Sequence, residues 1–152
     1  QANDLVFRKT LRDGGEAVTE LFDQIETEMQ ELACNADGIV SANANNMSRA
    51  VETARKATAH ILAAANEPRR PAVNGVNYLM LLGYLCGGWV MTRASYKAVV
   101  QKSDASANPS FMQAKLATAR VFMTHHLPQV HALAEVIITG DNAVLAMDAD
   151  WL

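Results

Sequence analysis

Cys34 and Cys86 are the only cysteines in the chain, and they form no C-x-x-C pair. That scarcity rules out a disulfide scaffold and a paired-cysteine metal or redox site. Cys86 sits in an apolar run, where a thiol behaves as a small hydrophobe, and a reducing, cytoplasmic setting fits both thiols. No apolar stretch approaches the roughly 20 residues a bilayer demands, and no basic segment leads into an apolar one at the start, as a secretory signal would. Charge of one sign is also lacking. Thirteen Lys and Arg stand against 16 Asp and Glu, for a formal net charge of −3, and the basic residues are scattered rather than gathered in a stripe, which argues against nucleic acid as a partner. There is no G-x-S-x-G, no G-x-x-x-x-G-K and no G-x-G-x-x-G, so the usual nucleophile and phosphate motifs are absent.

What the chain has is apolar helix-forming sequence. Half of its 152 residues are hydrophobic, enough for one domain with a substantial core. Its centre is Tyr78 to Met91, a run without a single charge. Tyr78, Leu82, Leu85 and Trp89 recur at helical spacing on one side, with Leu79, Gly83, Cys86 and Val90 beside them. A helix that is apolar all round predicts neighbours all round. Gly83, Gly87 and Gly88 each cost about 1 kcal/mol relative to Ala inside a helix, which predicts close approach of another backbone there, at Gly87 in particular. Helix packing is the plain reading of these glycines; a ligand slot beside them is the sharper one.

In chain order, residues from Asn3 to Leu11 read as a helical turn or two, and Asp13-Gly14-Gly15 is a strong punctuation signal. Val18, Leu21, Phe22, Ile25, Met29 and Leu32 then give an amphipathic helix with one dry face. Its acidic residues, Glu16 and Glu20 among them, read as a solvated surface rather than a metal site. Asn35 to Asn46, rich in Asn and Asp, reads as a loop or frayed junction. An Ala-rich helix follows from about Asn45 to Asn66, stopped by Glu67-Pro68-Arg69-Arg70-Pro71. Arg69 and Arg70 could bind a phosphate, although a solvated loop is the simpler reading. The central helix spans about Ala72 to Gln101, and a loop runs from Lys102 to Pro109. A long last helix carries Met112, Leu116, Ala119, Met123, Leu127, Val130 and Ile137 to Gly140. Pro128 in its middle removes a backbone bond, which predicts a kink near Thr124. A short tail ends in Trp151 and Leu152.

The pattern predicts an all-α, antiparallel up-and-down bundle of four main helices with a short N-terminal helical segment. Residues 1–14 read as the end of a preceding domain with its linker and residues 15–152 as the bundle, since the chain opens on Gln1 and not on Met. His125, His126 and His131 lie close together, but no pair has the four-residue spacing with a nearby carboxylate that a helical zinc site shows, and His60 is remote. No metal ligand and no catalytic residue is therefore assigned, and cofactor-binding residues are unknown. Glu67 and Glu135 are lone carboxylates of the kind usually just solvated. A self-sufficient bundle that acts as a protein-interaction module stays open, as does a bundle that holds haem or metal.

Three stretches carry a family likeness. They are Gln1 to Lys9 continuing through Leu11-Arg12-Asp13-Gly14-Gly15, then Leu82-Gly83-Tyr84 to Trp89, and Lys115-Leu116-Ala117-Thr118-Ala119-Arg120 leading through Leu127-Pro128 to Ala146-Met147-Asp148. Together they resemble the flavin-dependent acyl-CoA dehydrogenases that carry an extra helical domain at the C-terminus, with weaker likeness from Asn35 to Pro71. In that family a similar opening segment follows a Tyr-Glu-Gly-Thr motif whose glutamate abstracts the α-proton of the substrate. The resemblance thus implies a catalytic domain ahead of Gln1, FAD in the full-length enzyme but none on this segment, and a homo-oligomer. It also implies α,β-dehydrogenation of an acyl-CoA thioester with hydride transfer to FAD. No residue here matches the Tyr-Glu-Gly-Thr motif, so no catalytic role carries over.

Overall fold

Asp13 and Asp37 set where the first two long helices begin. A computed structural model describes residues 1–102 and 108–148, and among these every regular element is helical. The Asp13 carboxylate accepts the N–H of Gly15 at 2.9 Å and of Ala17 at 3.1 Å, across a turn in which Gly14 and Gly15 take positive φ of 66° and 84°. The backbone bonds, that from Ala17 foremost, hold the Asp13 carboxyl below its ordinary pKa. Helix α1 (Glu16–Ala33) follows, burying Phe22, Ile25, Met29 and Leu32 as its spacing predicts. Asp37 then accepts from the N–H groups of Ile39 and Val40 and opens α2 (Gly38–Ala63).

The junction expected over Asn35 to Asn46 is thus mostly helix. Only residues 34–37 connect α1 to α2, and Val40, Asn43, Ala44 and Met47 are buried on its first turns. Asn43 does not compete with the helix for backbone bonds, because its amide donates instead to Ser95 Oγ at 3.3 Å. The boundary before the central helix also moves. Helix α3 (Arg69–Gln101) starts ahead of Ala72, with Arg69, Arg70 and a buried Pro71 in its first turn, where a missing N–H costs nothing.

The last rod is interrupted at the place Pro128 predicts. Helix α4 (Pro109–Val121) passes into a π-turn over Phe122–His126, and α5 (Gln129–Thr139) resumes after Pro128. Leu127 N–H reaches back five residues to the Phe122 carbonyl at 3.0 Å. The core stripe Ala119, Met123, Leu127, Val130, Ala134 and Ile137 holds two successive steps of four, one residue more than alternating threes and fours allow. The π-turn absorbs that extra residue and keeps both halves facing the core. Helix α6 (Asp141–Leu145) packs back on α3. Residues 103–107 of the loop and the Trp151-Leu152 tail lie outside the described residues.

Cross-chain contacts fix the directions. Asn43 meets Ser95 while Thr58 meets Tyr78, so α2 and α3 run antiparallel; Asn74 meets Ile137 while Thr92 meets Met123, so α3 and the rod from α4 to α5 do too. The fold is an all-α bundle whose fourth member is the α4–α5 rod. The buried seam of α3 is Asn74, Tyr78, Leu81, Leu85, Gly88, Thr92 and Ser95, in alternating steps of four and three. Leu82 and Trp89, expected on it, are only partly buried. The N-terminal segment joins the same core: Asp4–Thr10 is a π-helix whose Val6 is fully buried, and Thr10 hydrogen-bonds Tyr78.

The helix expected to have neighbours on all sides does not have them. Val76 is 64% exposed, Met80 45% and Val90 54%, and Gly83 between them is exposed with no atom of the described residues within 4 Å of where a Cβ would stand. Gly87 and Gly88 do mark close packing, but side chains approach them rather than backbone. A Cβ on Gly87 would lie 2.5 Å from Phe122 Cζ, and one on Gly88 2.6 Å from Met47 Sδ and 2.8 Å from Leu127 Cδ1.

Candidate functional site

The π-turn and the start of α5 place the three neighbouring histidines in three different environments. His126 stacks on Tyr84, with centroids 6.2 Å apart and planes at 14°, and leans on Phe122 at 5.1 Å. His131 Nδ1 lies 2.9 Å from Thr53 Oγ1. That hydroxyl also lies 3.0 Å from the Arg49 carbonyl, so it links His131 to the α2 backbone. His125 is exposed. His60, half-buried on α2, is partnered elsewhere. No cluster of three His, Cys, Asp or Glu side chains able to hold a metal lies among the described residues.

Two adjoining grooves follow the α2 side of the π-turn and share Asn46 and Met123. One, of about 280 Å3, is lined by Arg49, Leu127, Pro128 and His131 as well; the other, of about 270 Å3, adds Arg120, Thr124 and residues at the start of α2. Arg49 bonds the Asn46 side-chain oxygen. A third groove, of about 330 Å3, brings Glu67, Arg69 and Arg70 to Leu145 of α6. Arg70 Nε pairs there with Glu67 at 3.1 Å, so the arginine pair belongs to a helix start with a carboxylate beside it, and not to a loop. Glu135 is exposed on α5, where its carbonyl accepts from Thr139.

The acidic face of α1 does more than meet solvent. Glu16 and Glu20 are exposed as expected, but Arg55 of α2 reaches Asp23 at 2.5 Å and Glu26 at 3.0 Å and lies over the Phe22 ring. Glu28 accepts from Trp89 Nε1 at 2.6 Å and pairs with Arg93 at 3.2 Å, which joins α1 to α3. These are structural ties. Periodicity alone does not reveal them, because it shows a polar face without showing which of its charges meet a partner from another helix.

Fold and grooves together define a helical-bundle domain in which Arg55, Glu28 and Arg93 tie helices to one another. The family to which such a domain belongs comes from comparison. Residues 17–148 match the family model described as acetyl-CoA dehydrogenase C-terminal like, and the chain belongs to that family. It is similar to 3-methylmercaptopropionyl-CoA dehydrogenase of Ruegeria pomeroyi, at 33% identity over 96% of this chain and 25% of that protein. It is also similar to the broad-specificity linear acyl-CoA dehydrogenase FadE5 of Mycobacterium tuberculosis, at 30% identity over 97% of this chain and 25% of that protein. The chain thus spans about a quarter of the length of the curated relatives it matches.

The resemblance brings a flavin dinucleotide into consideration, and the residues described do not fit it. Four grooves among the described residues hold about 200 to 330 Å3 each and lie open along the surface, near or below the bottom of the range that encloses a drug-sized ligand. No helix among the described residues is long and apolar enough to cross a membrane.

Proposed function

We propose that this chain is the C-terminal accessory domain of a cytoplasmic, flavin-dependent acyl-CoA dehydrogenase that works as a homo-oligomer. Residues 1–14 form its joint with a preceding catalytic domain and residues 15–152 the appended bundle. One observation carries the reading: the family match runs over nearly the whole chain, yet that chain corresponds to only a quarter of each relative. Both relatives are named for acyl-CoA thioesters, so the substrate class of the full enzyme is an acyl-CoA thioester. The proton-abstracting carboxylate belongs to the preceding domain. General-base catalysis needs a base within about 2.6–3.2 Å of the proton, or one water away, and Glu67, the one carboxylate lining a described groove, is already paired with Arg70.

The test uses the chain itself. Incubated with FAD, an electron acceptor and acyl-CoAs of several lengths, it is expected to retain no flavin and to form no enoyl-CoA. Turnover with stoichiometric flavin would place the active site within these residues and end the accessory-domain reading. Mapping the start of the gene supplies the complement: an in-frame Tyr-Glu-Gly-Thr upstream supports the enzyme, and an initiator Met just before Gln1 leaves the self-sufficient interaction module instead.

A further inference from the structure

We propose that the outward face of α3, centred on Gly83 and bounded by Val76, Met80 and Val90, is the surface on which the preceding flavin-bearing body of the same polypeptide docks. The inference rests on the accessory-domain reading above and adds to it which face meets the rest of the protein. Isolated apolar residues on a surface need no explanation, but a contiguous stripe along one helix marks a contact. Here Val76, Met80 and Gly83 follow one side of α3 at steps of four and three, Val90 continues that side beyond Gly87, which Phe122 covers, and no charged residue occurs between Arg70 and Arg93. A solvent-facing stripe on a bundle helix ordinarily carries charge, as α1 does with Glu16, Glu20 and Glu31.

Gly83 gives the stripe a shape. A mid-helix glycine costs about 1 kcal/mol against Ala, and where the chain uses the missing side chain, at Gly87 and Gly88, an atom stands within 2.6 Å of the Cβ position. At Gly83 nothing uses it. Among the described residues, none occupies the notch beside Met80.

The N-terminal segment points to the occupant. Asn3 Oδ1 and Ala2 lie 3.4 and 3.6 Å from the Cβ position of Gly75, one residue before Val76, and Val6 and Thr10 hold the segment against the same helix. A domain preceding Gln1 therefore joins the bundle beside the start of the stripe. Three quarters of each relative lies outside the matched stretch, which is ample to cover it. A second copy of the chain has no such tether.

The test is cysteine accessibility in Gly83→Cys with Cys86→Ala, Cys34 kept as the internal reference, comparing the 152-residue chain with the full polypeptide. Labelling of position 83 is expected to be rapid and independent of concentration in the short chain, and slower by at least about tenfold in the full one. Equal rates in the two would overturn the docking face while leaving the accessory-domain reading intact. Protection that grows with concentration in the short chain would assign the face to a second copy, which also overturns the proposal. An initiator Met just before Gln1 would remove the docking body and the accessory-domain reading together.

Discussion

The two faces of α3 each depart from the usual rule, the inward one by burying polar side chains among Leu81 and Leu85 and the outward one by exposing apolar ones. Its inward face carries Asn74, Tyr78, Thr92 and Ser95, all buried, whereas its outward face carries Val76, Met80 and Val90, all largely exposed. Inside, every polar group has a partner. Asn74 donates to the Ile137 carbonyl, the Tyr78 hydroxyl meets Thr58, Thr92 donates to the Gly88 carbonyl, and Ser95 accepts from Asn43 while donating to Thr92. Such bonds add little net energy each but are costly to break, so they fix the height at which α2 and α5 sit against α3. The outward face has no such fixings among the described residues. The inner face specifies a fold, and the outer one offers a surface.

The comparison breaks first if the inner face proves tolerant. Tyr78→Ala removes a fully buried ring and takes one partner from the Thr58 and Thr10 hydroxyls it bonds, with an expected loss of about 3–5 kcal/mol by urea denaturation. Burial pushes the Tyr78 phenol pKa up against the lowering effect of those two hydroxyls, so it stays neutral and the loss should not vary across the neutral pH range. A loss near zero would mean that the seam is not packed as described. Next in size is Gly88→Val. Its new side chain meets Met47 and Leu127, which are 0% and 3% exposed and have no room to swing away, so overpacking should cost about 1–3 kcal/mol.

Much of the inner face can be read from the chain alone, because the apolar spacing of α1, α2 and the last rod is periodic. The interruption at Pro128 is legible for the same kind of reason, since a missing N–H is a local fact. How the rod absorbs it is not local: the π-turn answers to the phase of the core stripe on both sides. The start of α2 is misread because Asn43 looks like a loop residue until Ser95, which lies 52 positions away, is known to bond it. The outer face of α3 is misread for a different reason. Periodicity reports that a position is apolar, and apolar positions are covered either by the chain itself or by something the chain does not contain. Val76 and Val90 have the sequence signature of core and the exposure of surface, and only the fold separates the two. The grooves at Arg49 and Arg120 were not legible at all, since they arise where α2 meets a π-turn that no local pattern announces.

The smallest effect sharpens the contrast most, because it has the opposite sign. Gly83→Ala adds a methyl group at a position with no atom of the described residues within 4 Å, so no packing term from them opposes it. What remains is backbone entropy: glycine loses more freedom on folding than alanine, and in the middle of a helix the exchange is worth about 0.5–1 kcal/mol. Gly83→Ala should therefore stabilise the 152-residue chain by that amount, read as a higher urea midpoint at an unchanged denaturant slope. Placed next to Gly88→Val, it sets two glycines of one helix, five residues apart, against each other with effects of opposite sign. Destabilisation by Gly83→Ala would mean that the outward face is already covered within this chain, and the distinction between the two faces of α3 would fall with it.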